Sequence, residues 1–344
     1  MKLRLDKKDF ASFVETLLEA NDLYAPVELA DGVSVFRKIE RPEEIDLTHL
    51  NPQKPAKEVF FPQSEVLLQY EKTGTGNRVT STEEVTRKRI LLGARPCDLQ
   101  AFSILDKVFI GKEDTDVYYL KKREASTLIG FACIQPRSTC FCTSVGGGPF
   151  ARAGSDLFFI DLGEAYVVEL LTEKGMAFHQ NKFLKEAHPK DLILVKELEE
   201  KAFGKITFSL PIDGIEKRLD LMAEGPFWDR VHEKCIGCRI CTYLCPTCHC
   251  FDIVDEGDSQ RGQRVRNWDS CLSALYSLET SGHNPRPTTR ERIRQRLMHK
   301  FNYYPKTYGQ VACVGCGRCI VYCPTHFDIR QAIMATSSEK PEAF

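Results

Sequence analysis

Cysteine is the residue whose number and spacing carry the chemistry of this sequence. The chain has 344 residues and 15 cysteines. Residues 235–246 follow the pattern C-x2-C-x2-C-x3-C-P, and residues 313–324 repeat it with identical spacing. Four cysteine thiolates at the iron corners are what a [4Fe–4S] cluster requires of a protein. The repeated pattern therefore predicts two [4Fe–4S] clusters.

The two runs also indicate which cysteine binds which cluster. Three cysteines of each run lie in one tight loop, where Gly237, Gly315 and Gly317 would let backbone amides turn toward the sulfurs. In bacterial two-cluster ferredoxins the fourth cysteine of each run binds the other cluster. On this basis the predicted ligands are Cys235, Cys238, Cys241 and Cys323 for cluster one, and Cys313, Cys316, Cys319 and Cys245 for cluster two.

Zinc is the alternative reading of paired C-x2-C motifs. A structural zinc site uses four ligands from two such pairs, whereas each run here offers three closely spaced cysteines and a fourth that is followed by proline. The pattern therefore favours clusters. Two clusters held close together by shared loops indicate a relay for electrons rather than a structural metal.

Seven cysteines lie outside the two runs, and four of them form one group. Cys97 and Cys133 each end a predicted strand, and Cys140 and Cys142 follow in a loop rich in proline and glycine. Ligand sites in open sheets lie beyond the carboxyl ends of the strands. These four cysteines are therefore candidate ligands of a third cluster, with iron–sulfur favoured over zinc. The alternative is that they are small buried residues.

The role of Cys248, Cys250 and Cys271 stays open in the sequence. The favoured interpretation is that they are buried thiols that hydrogen-bond to the clusters or shield them. Two alternatives are a further site that includes His249 or His283, and replacement of Cys245 as a cluster ligand. We predict no metal at these three cysteines.

Composition and charge limit the remaining possibilities. The 47 basic and 48 acidic residues nearly balance, so nothing global suggests nucleic acid or an anionic membrane as a partner. No apolar run approaches the ~18 to 20 residues of a membrane-spanning helix, and the first residues lack the apolar core of a signal peptide. We therefore expect a soluble, cytoplasmic protein whose cysteines serve metals rather than disulfides.

The elements that must position the cysteines predict an α+β fold. A strand-rich α+β domain at 1–215 is followed by a mostly α-helical, ferredoxin-type domain at 216–344, with an insertion at 247–311 and a boundary near 210–225. The predicted strands are 33–39, 58–61, 65–70, 88–94 and 127–133, with a hairpin within 156–172. The predicted helices are 7–20, 99–108, 175–186, 190–203 and 213–233.

An arginine series lies late in the insertion, at Arg290, Arg292, Arg294 and Arg296. Its period of two cannot stay on one face of a helix. We interpret it as a solvated or partner-docking segment, in which one arginine close to a cluster would raise the cluster's reduction potential.

Further motifs connect the sequence to a family. The insertion begins with Cys-Pro-Thr-Cys-His-Cys-Phe-Asp (245–252) and contains Asn-Trp-Asp-Ser-Cys (267–271); upstream lie Gly-Ala-Arg-Pro-Cys-Asp-Leu (93–99) and Cys-Phe-Cys (140–142) before Gly-Gly-Gly-Pro (146–149). From about residue 30 to 335, the chain resembles the 4Fe–4S dicluster family that includes the beta subunit of cytosolic sulfhydrogenases and the A subunit of anaerobic sulfite reductase.

The resemblance implies an iron–sulfur electron-transfer subunit of a hetero-oligomeric oxidoreductase complex. Its partners would be a flavin- and NAD(P)-binding subunit and a hydrogenase, sulfite reductase or heterodisulfide-reductase-type subunit, with no nucleic acid and no membrane span. The chain would have no substrate-turnover site of its own. Two alternatives stay open: an iron–sulfur redox-sensing regulatory protein, and a reductase whose substrate binds at the third cluster.

Overall fold

The computed structural model describes residues 1–49, 51–74, 76–81, 85–111 and 113–338. The predicted domains 1–215 and 216–344 include further residues outside this described part. The strands are β1 (Lys2–Asp6), β2 (Asn21–Glu28), β3 (Ser34–Ile39), β4 (Ser64–Thr73), β5 (Gly76–Ser81), β6 (Lys88–Ala94), β7 (Ser126–Phe131), β8 (Leu157–Asp161), β9 (Ala165–Leu170), β10 (Lys185–Glu186), β11 (Phe251–Gly257) and β12 (Arg261–Trp268).

Short helices predominate toward the end of the chain. The α-helices are α1 (Phe10–Ala20), α2 (Pro96–Phe109), α3 (Val117–Glu124), α4 (Glu173–Met176), α5 (Pro189–Gly204), α6 (Ile215–Leu221), α7 (Phe227–Val231), α8 (Ile240–Tyr243), α9 (Thr289–Met298), α10 (Tyr304–Tyr308), α11 (Arg318–Val321) and α12 (Ile329–Ser338). A π-helical segment, His299–Tyr303, joins α9 to α10. Among the described residues, no helix combines the length and the apolar character that crossing a membrane requires.

Residue contacts divide the chain into two units. In their described parts, the first unit comprises Met1–Phe60, Val85–Ser209 and Val314–Cys316, and the second comprises Phe61–Glu84, Leu210–Cys313 and Gly317–Phe344. The α+β class is confirmed.

The first unit is built on an eight-stranded sheet, ordered β10-β1-β9-β8-β7-β6-β2-β3. Its centre is parallel, because β2, β6, β7 and β8 pair in that sense. Both faces are covered, as parallel sheets require. Alternate residues of β8 show this: Phe159 packs in a core with Phe13 of α1, whereas Phe158 packs on the other face with Val195 of α5.

The two strands that lead to cysteines lie side by side in this sheet. β6 and β7 are parallel neighbours, so the chain leaves both at the same edge. Arg95 and Cys97 follow β6 at the start of α2, and Cys133 follows β7 two residues after its end. The sheet therefore brings Cys97 and Cys133 to a common edge.

The second unit contains a four-stranded antiparallel sheet, ordered β11-β12-β4-β5. β4 pairs with β12 over seven residue pairs, and a buried ion pair joins Arg266 of β12 to Glu65 of β4. The helices pack separately around Trp228, whose indole Nε1 donates to the Met222 carbonyl at 2.6 Å. Ile293, Leu297 and Phe301 are buried on α9 and the π-helical segment.

Some elements differ from the sequence-based expectations. Residues 56–59 form a 3-10 turn rather than part of a strand, and of the helix expected at 175–186 only α4 forms, while residues 185–186 join the sheet edge as β10. The contacts also assign β4 and β5 to the second unit, although the predicted first domain extends to residue 215. The partner of β4 in this sheet, β12, lies nearly 200 residues later in the predicted insertion, and local patterns do not reveal pairings at that distance.

Candidate metal centres

The first cysteine run forms a loop and one helical turn. Gly237 and Arg239 both have left-handed backbones, with φ of 68° and 67°, and α8 starts directly after Arg239. The left-handed residues reverse the chain so that successive cysteines face one side. One cavity is lined by all four predicted ligands of cluster one, Cys235, Cys238, Cys241 and Cys323. Its lining also includes Cys319, Arg296 and the apolar side chains of Ile236, Leu272, Ile293, Phe327 and Ile329.

The second run repeats this geometry. Gly315 and Gly317 have φ of 61° and 72°, and α11 follows Gly317. Of the predicted cluster-two ligands, Cys313, Cys319 and Cys245 belong to the second unit, whereas Cys316 belongs to the first. Within the first unit, the Cys316 carbonyl accepts hydrogen bonds from the Cys140 thiol at 3.8 Å and from the Asn51 amide at 3.4 Å.

Arg296 is a buried cation among the thiols of the second unit. The residue is only 3% exposed, and its Nη2 donates a hydrogen bond to the Cys241 carbonyl at 3.1 Å. Its Nε is buried without a hydrogen-bond partner. Burial lowers the pKa of Arg296, but the sulfurs of Cys241, Cys319 and Cys248 raise it, and the net shift is upward.

Lys300 is a second buried cation. Its Nζ donates to the Cys245 sulfur at 3.3 Å, the Thr247 hydroxyl at 2.8 Å and the Ala312 carbonyl at 2.9 Å. Burial lowers the pKa of Lys300, but the sulfurs of Cys245, Cys248 and Cys313 raise it by more than burial lowers it. The net shift is again upward. Within the described residues, neither Lys300 nor Arg296 forms an ion pair with a carboxylate.

These two cations provide a test of whether the cysteines fit an anionic group. A buried charge without a counter-charge costs several kcal/mol, and thiolates are the only anions that reach either side chain in the described residues. A group bound by several thiolates supplies the missing negative charge. The residues present therefore fit thiolate-bound iron–sulfur clusters.

The distances between the cysteine sulfurs bear on the zinc alternative. Tetrahedral zinc with four thiolates needs sulfurs about 3.8 Å apart, given Zn–S bonds of about 2.3 Å. No three cysteine sulfurs of the described residues lie within 4.8 Å of one another; the group that meets this limit is Glu28, Asp46 and His49. The described cysteine sulfurs therefore do not form the compact set of thiolates that a zinc ion requires.

The three cysteines of uncertain role gather in the second unit. The Cys248 thiol is hydrogen-bonded to the Cys245 sulfur. This contact lowers the pKa of Cys245 and raises the pKa of Cys248. The charge of Lys300 lowers the pKa of Cys245 further. The β11–β12 hairpin ends at its open side with the pair Phe251 and Trp268, so Cys250 and Cys271 leave it close together. Their hydrogen bond is the main cause of the raised pKa of Cys271.

The four other candidate cysteines lie in the first unit, and two of them, Cys97 and Cys133, lie near the buried side chain of Arg95. The Arg95 guanidinium donates to the carbonyls of Ala132, Leu47 and His49, and its Nε is buried without a partner. Burial lowers the pKa of Arg95, and the strongest influences that oppose this shift are Cys133 and Cys97, followed by Asp98 and Asp161. Cys97 and Cys133 therefore both act on one buried cation whose Nε lacks a hydrogen-bond partner.

Cys140 and Cys142 complete this group. Burial raises the pKa of Cys140 to about 11 and that of Cys142 to about 12, and Cys133 adds to both shifts. Both thiols would be protonated at neutral pH. Metal ligation requires thiolates, so binding here would release protons. The structure thus gathers the four sequence-predicted residues of the third site.

Two features were missing from the sequence-based expectations. The burial of Lys300 was not anticipated, although the apolar neighbours Met298 and Phe301 are a weak signal for it. The approach of Cys316 to Cys140 was not anticipated either. Of the arginine series, only Arg296 is fully buried; Arg290 and Arg294 bind Asp229 and Glu224 near the surface.

Comparison with known proteins agrees with this chemistry. Residues 234–327 match the model of the 4Fe-4S dicluster domain, so the predicted resemblance and the presence of iron–sulfur clusters are confirmed. The chain is 32% identical over 329 residues to sulfhydrogenase 2 subunit beta of Pyrococcus furiosus, and the alignment covers 95% of each protein. No solved structure matches the chain. At this identity and coverage, the chain belongs to the sulfhydrogenase beta subunit family of 4Fe–4S dicluster proteins.

Proposed function

We propose that this chain is an iron–sulfur electron-transfer subunit of a cytoplasmic oxidoreductase complex. It would relay single electrons between a flavin- and NAD(P)-binding partner and a hydrogenase, sulfite reductase or heterodisulfide-reductase-type partner. The observation that carries the proposal is the pair of identical cysteine runs, within the segment that matches the dicluster domain. The relative's name, which describes a subunit of a sulfhydrogenase, supports membership of a hetero-oligomer.

Within this proposal, the eight cysteines of the runs hold two clusters. Cys235, Cys238, Cys241 and Cys323 would bind cluster one, and their common cavity supports this set. Cys313, Cys316, Cys319 and Cys245 would bind cluster two. Bound clusters supply one-electron chemistry, which is what a flavin partner needs to split a hydride pair into single electrons.

The surrounding residues orient the thiolates and balance their charge. The left-handed positions at Gly237, Gly315 and Gly317 hold the loops in shape, and Arg296 compensates negative charge between the two runs. Leu272 and Ile293 give the cavity of the first run an apolar lining on one part of its wall, while Cys238 is exposed. None of these residues gives or takes a proton, as suits a carrier of electrons alone.

We further propose that Cys97, Cys133, Cys140 and Cys142 bind a third cluster. The shared edge of β6 and β7, the orphaned Nε of Arg95 and the gathering of the four thiols support it. Because none of these four cysteines belongs to either run, the third site can be tested without replacing a predicted ligand of the two runs.

The test is a redox titration followed by electron paramagnetic resonance on the anaerobically purified complex, with its subunits identified. We expect cluster signals from this chain and a co-purifying flavoprotein that reduces them. The double variant Cys140→Ser, Cys142→Ser should lose about four irons per chain and keep the other signals. A chain that purifies alone and accepts no electrons from any flavoprotein would contradict the function, and unchanged iron in the double variant would contradict the third site.

A further inference from the structure

Lys300 is a buried lysine of the second unit whose position beside the Cys245 sulfur needs an explanation. It lies in the π-helical segment His299–Tyr303, a rare conformation that is frequent at functional sites. Its ammonium group lies in the protein interior, and the residue is only 3% exposed. Its carbonyl also accepts a hydrogen bond from the Ala312 amide at 2.8 Å, one residue before Cys313.

The contacts of Lys300 select one of the two predicted ligand sets. The ammonium touches the Cys245 sulfur, and the other run sulfur that acts on it is Cys313. Both cysteines belong to the predicted set for cluster two. Arg296, by contrast, is influenced by Cys241 of the first set and by Cys319 of the second.

In the described part of the chain, no cation hydrogen-bonds to the corresponding cysteine of the other set, Cys323, and the charge of Arg296 acts on it only as the weakest of five influences on its pKa. Cys323 stands where the second run has its fourth cysteine, as Cys245 does in the first. Its sulfur accepts a hydrogen bond from the Phe327 backbone amide at 3.2 Å and contacts the Thr325 hydroxyl at 3.4 Å. A neutral amide therefore occupies the place that an ammonium occupies at Cys245.

We propose that Lys300 sets the reduction potentials of the two clusters apart, by raising the potential of the one bound through Cys245 and Cys313. This inference rests on the proposed function, which assigns those ligands. Reduction adds one electron and releases nothing, and the ammonium keeps its proton, so one negative charge is added beside a fixed positive charge. In a buried site with little solvent screening, this contact favours the reduced state. Net charge and hydrogen bonds to sulfur are among the factors that set cluster potentials.

The experiment compares Lys300→Met and Lys300→Gln with Lys300→Arg in the anaerobic complex. Iron per chain and the midpoint potentials of the two clusters are measured by paramagnetic resonance titration. The matched control is Lys306→Met, since Lys306 lies six residues further on and pairs with Asp220 at the surface. We expect the neutral variants to shift one midpoint downward while the other stays, and Lys300→Arg and Lys306→Met to resemble the wild type.

Each other outcome has a defined meaning. Loss of one cluster in both neutral variants, with retention in Lys300→Arg, would support the charge role in stabilising that cluster. Equal loss in all three variants would overturn it, because shape rather than charge would then matter. Unmoved midpoints with full iron would also overturn it. Absence of cluster signals in the wild-type chain would instead contradict the proposed function itself.

Discussion

The two cysteine runs have the same spacing, yet they lie in different surroundings. Each fourth cysteine is followed by proline and threonine, and each threonine hydroxyl contacts the sulfur before it, at 3.2 Å for Thr247 and 3.4 Å for Thr325. Around Cys245 this pair is buried and joined by Lys300. Around Cys323 the pair is half-buried and joined by a backbone amide.

The loops of the two runs differ in the same way. Gly237 is open, since an added Cβ would find its nearest neighbour, a Thr289 methyl, at 3.8 Å. A Cβ on Gly315 would lie 2.5 Å from the Cys142 amide nitrogen. Spacing thus fixes the local loop that presents the thiols, whereas packing gives each loop its own environment. Comparing matched residues of the two runs separates these contributions.

The largest difference is expected between Gly315→Ala and Gly237→Ala. Both residues have a left-handed backbone, which costs an alanine about 1–2 kcal/mol. At Gly315 the added methyl also meets the backbone of residues 141–142, and overpacking costs about 1–3 kcal/mol more. Replacing glycine also recovers about 0.5–1 kcal/mol of unfolded-chain entropy. The free energy of unfolding, measured anaerobically in urea, should therefore fall by about 1.5–4 kcal/mol for Gly315→Ala and by about 0.5–1 kcal/mol for Gly237→Ala.

An equal loss of unfolding free energy in the two variants would contradict the proposed difference between the two loops. The result would mean that the backbone of residues 141–142 yields to the new methyl without cost. Gly237→Ala is the matched control, because both variants change the entropy of the unfolded chain in the same way.

A smaller difference is expected between Thr247→Val and Thr325→Val. Thr247 is buried; its hydroxyl donates to the Ala312 carbonyl at 2.8 Å and accepts from Lys300. Valine has the same shape but leaves both partners short of a bond, which costs about 1–3 kcal/mol when buried. Among the described residues, the Thr325 hydroxyl contacts the Cys323 sulfur alone, so we expect Thr325→Val to cost at most about 1 kcal/mol. Thermal unfolding under anaerobic conditions measures both, and a reversed order would contradict the burial of charge around Cys245.

The sequence was informative where the chemistry is local. The spacing of the runs predicts both loops, and the strand pattern at 88–94 and 127–133 predicts that Cys97 and Cys133 leave a sheet at one edge. It was uninformative where the partners are distant. Nothing near Lys300 indicates that the chain will place it on Cys245, 55 residues earlier, and the pairing of β4 with β12 spans 201 residues at the Glu65–Arg266 ion pair.

The smallest expected effect concerns Arg239, which stands where the second run has Gly317. Both residues precede a helical turn with a left-handed backbone, φ of 67° and 72°. That conformation costs an arginine about 1–2 kcal/mol, and a glycine would remove this cost. Glycine also increases the entropy of the unfolded chain, which lowers stability by about 0.5–1 kcal/mol. Arg239→Gly should therefore raise the free energy of unfolding by about 0.5–1 kcal/mol, while the reciprocal Gly317→Ala lowers it. Destabilisation by Arg239→Gly would instead mean that the exposed guanidinium beside the cavity of the first run stabilises its thiolates by more than the backbone strain costs.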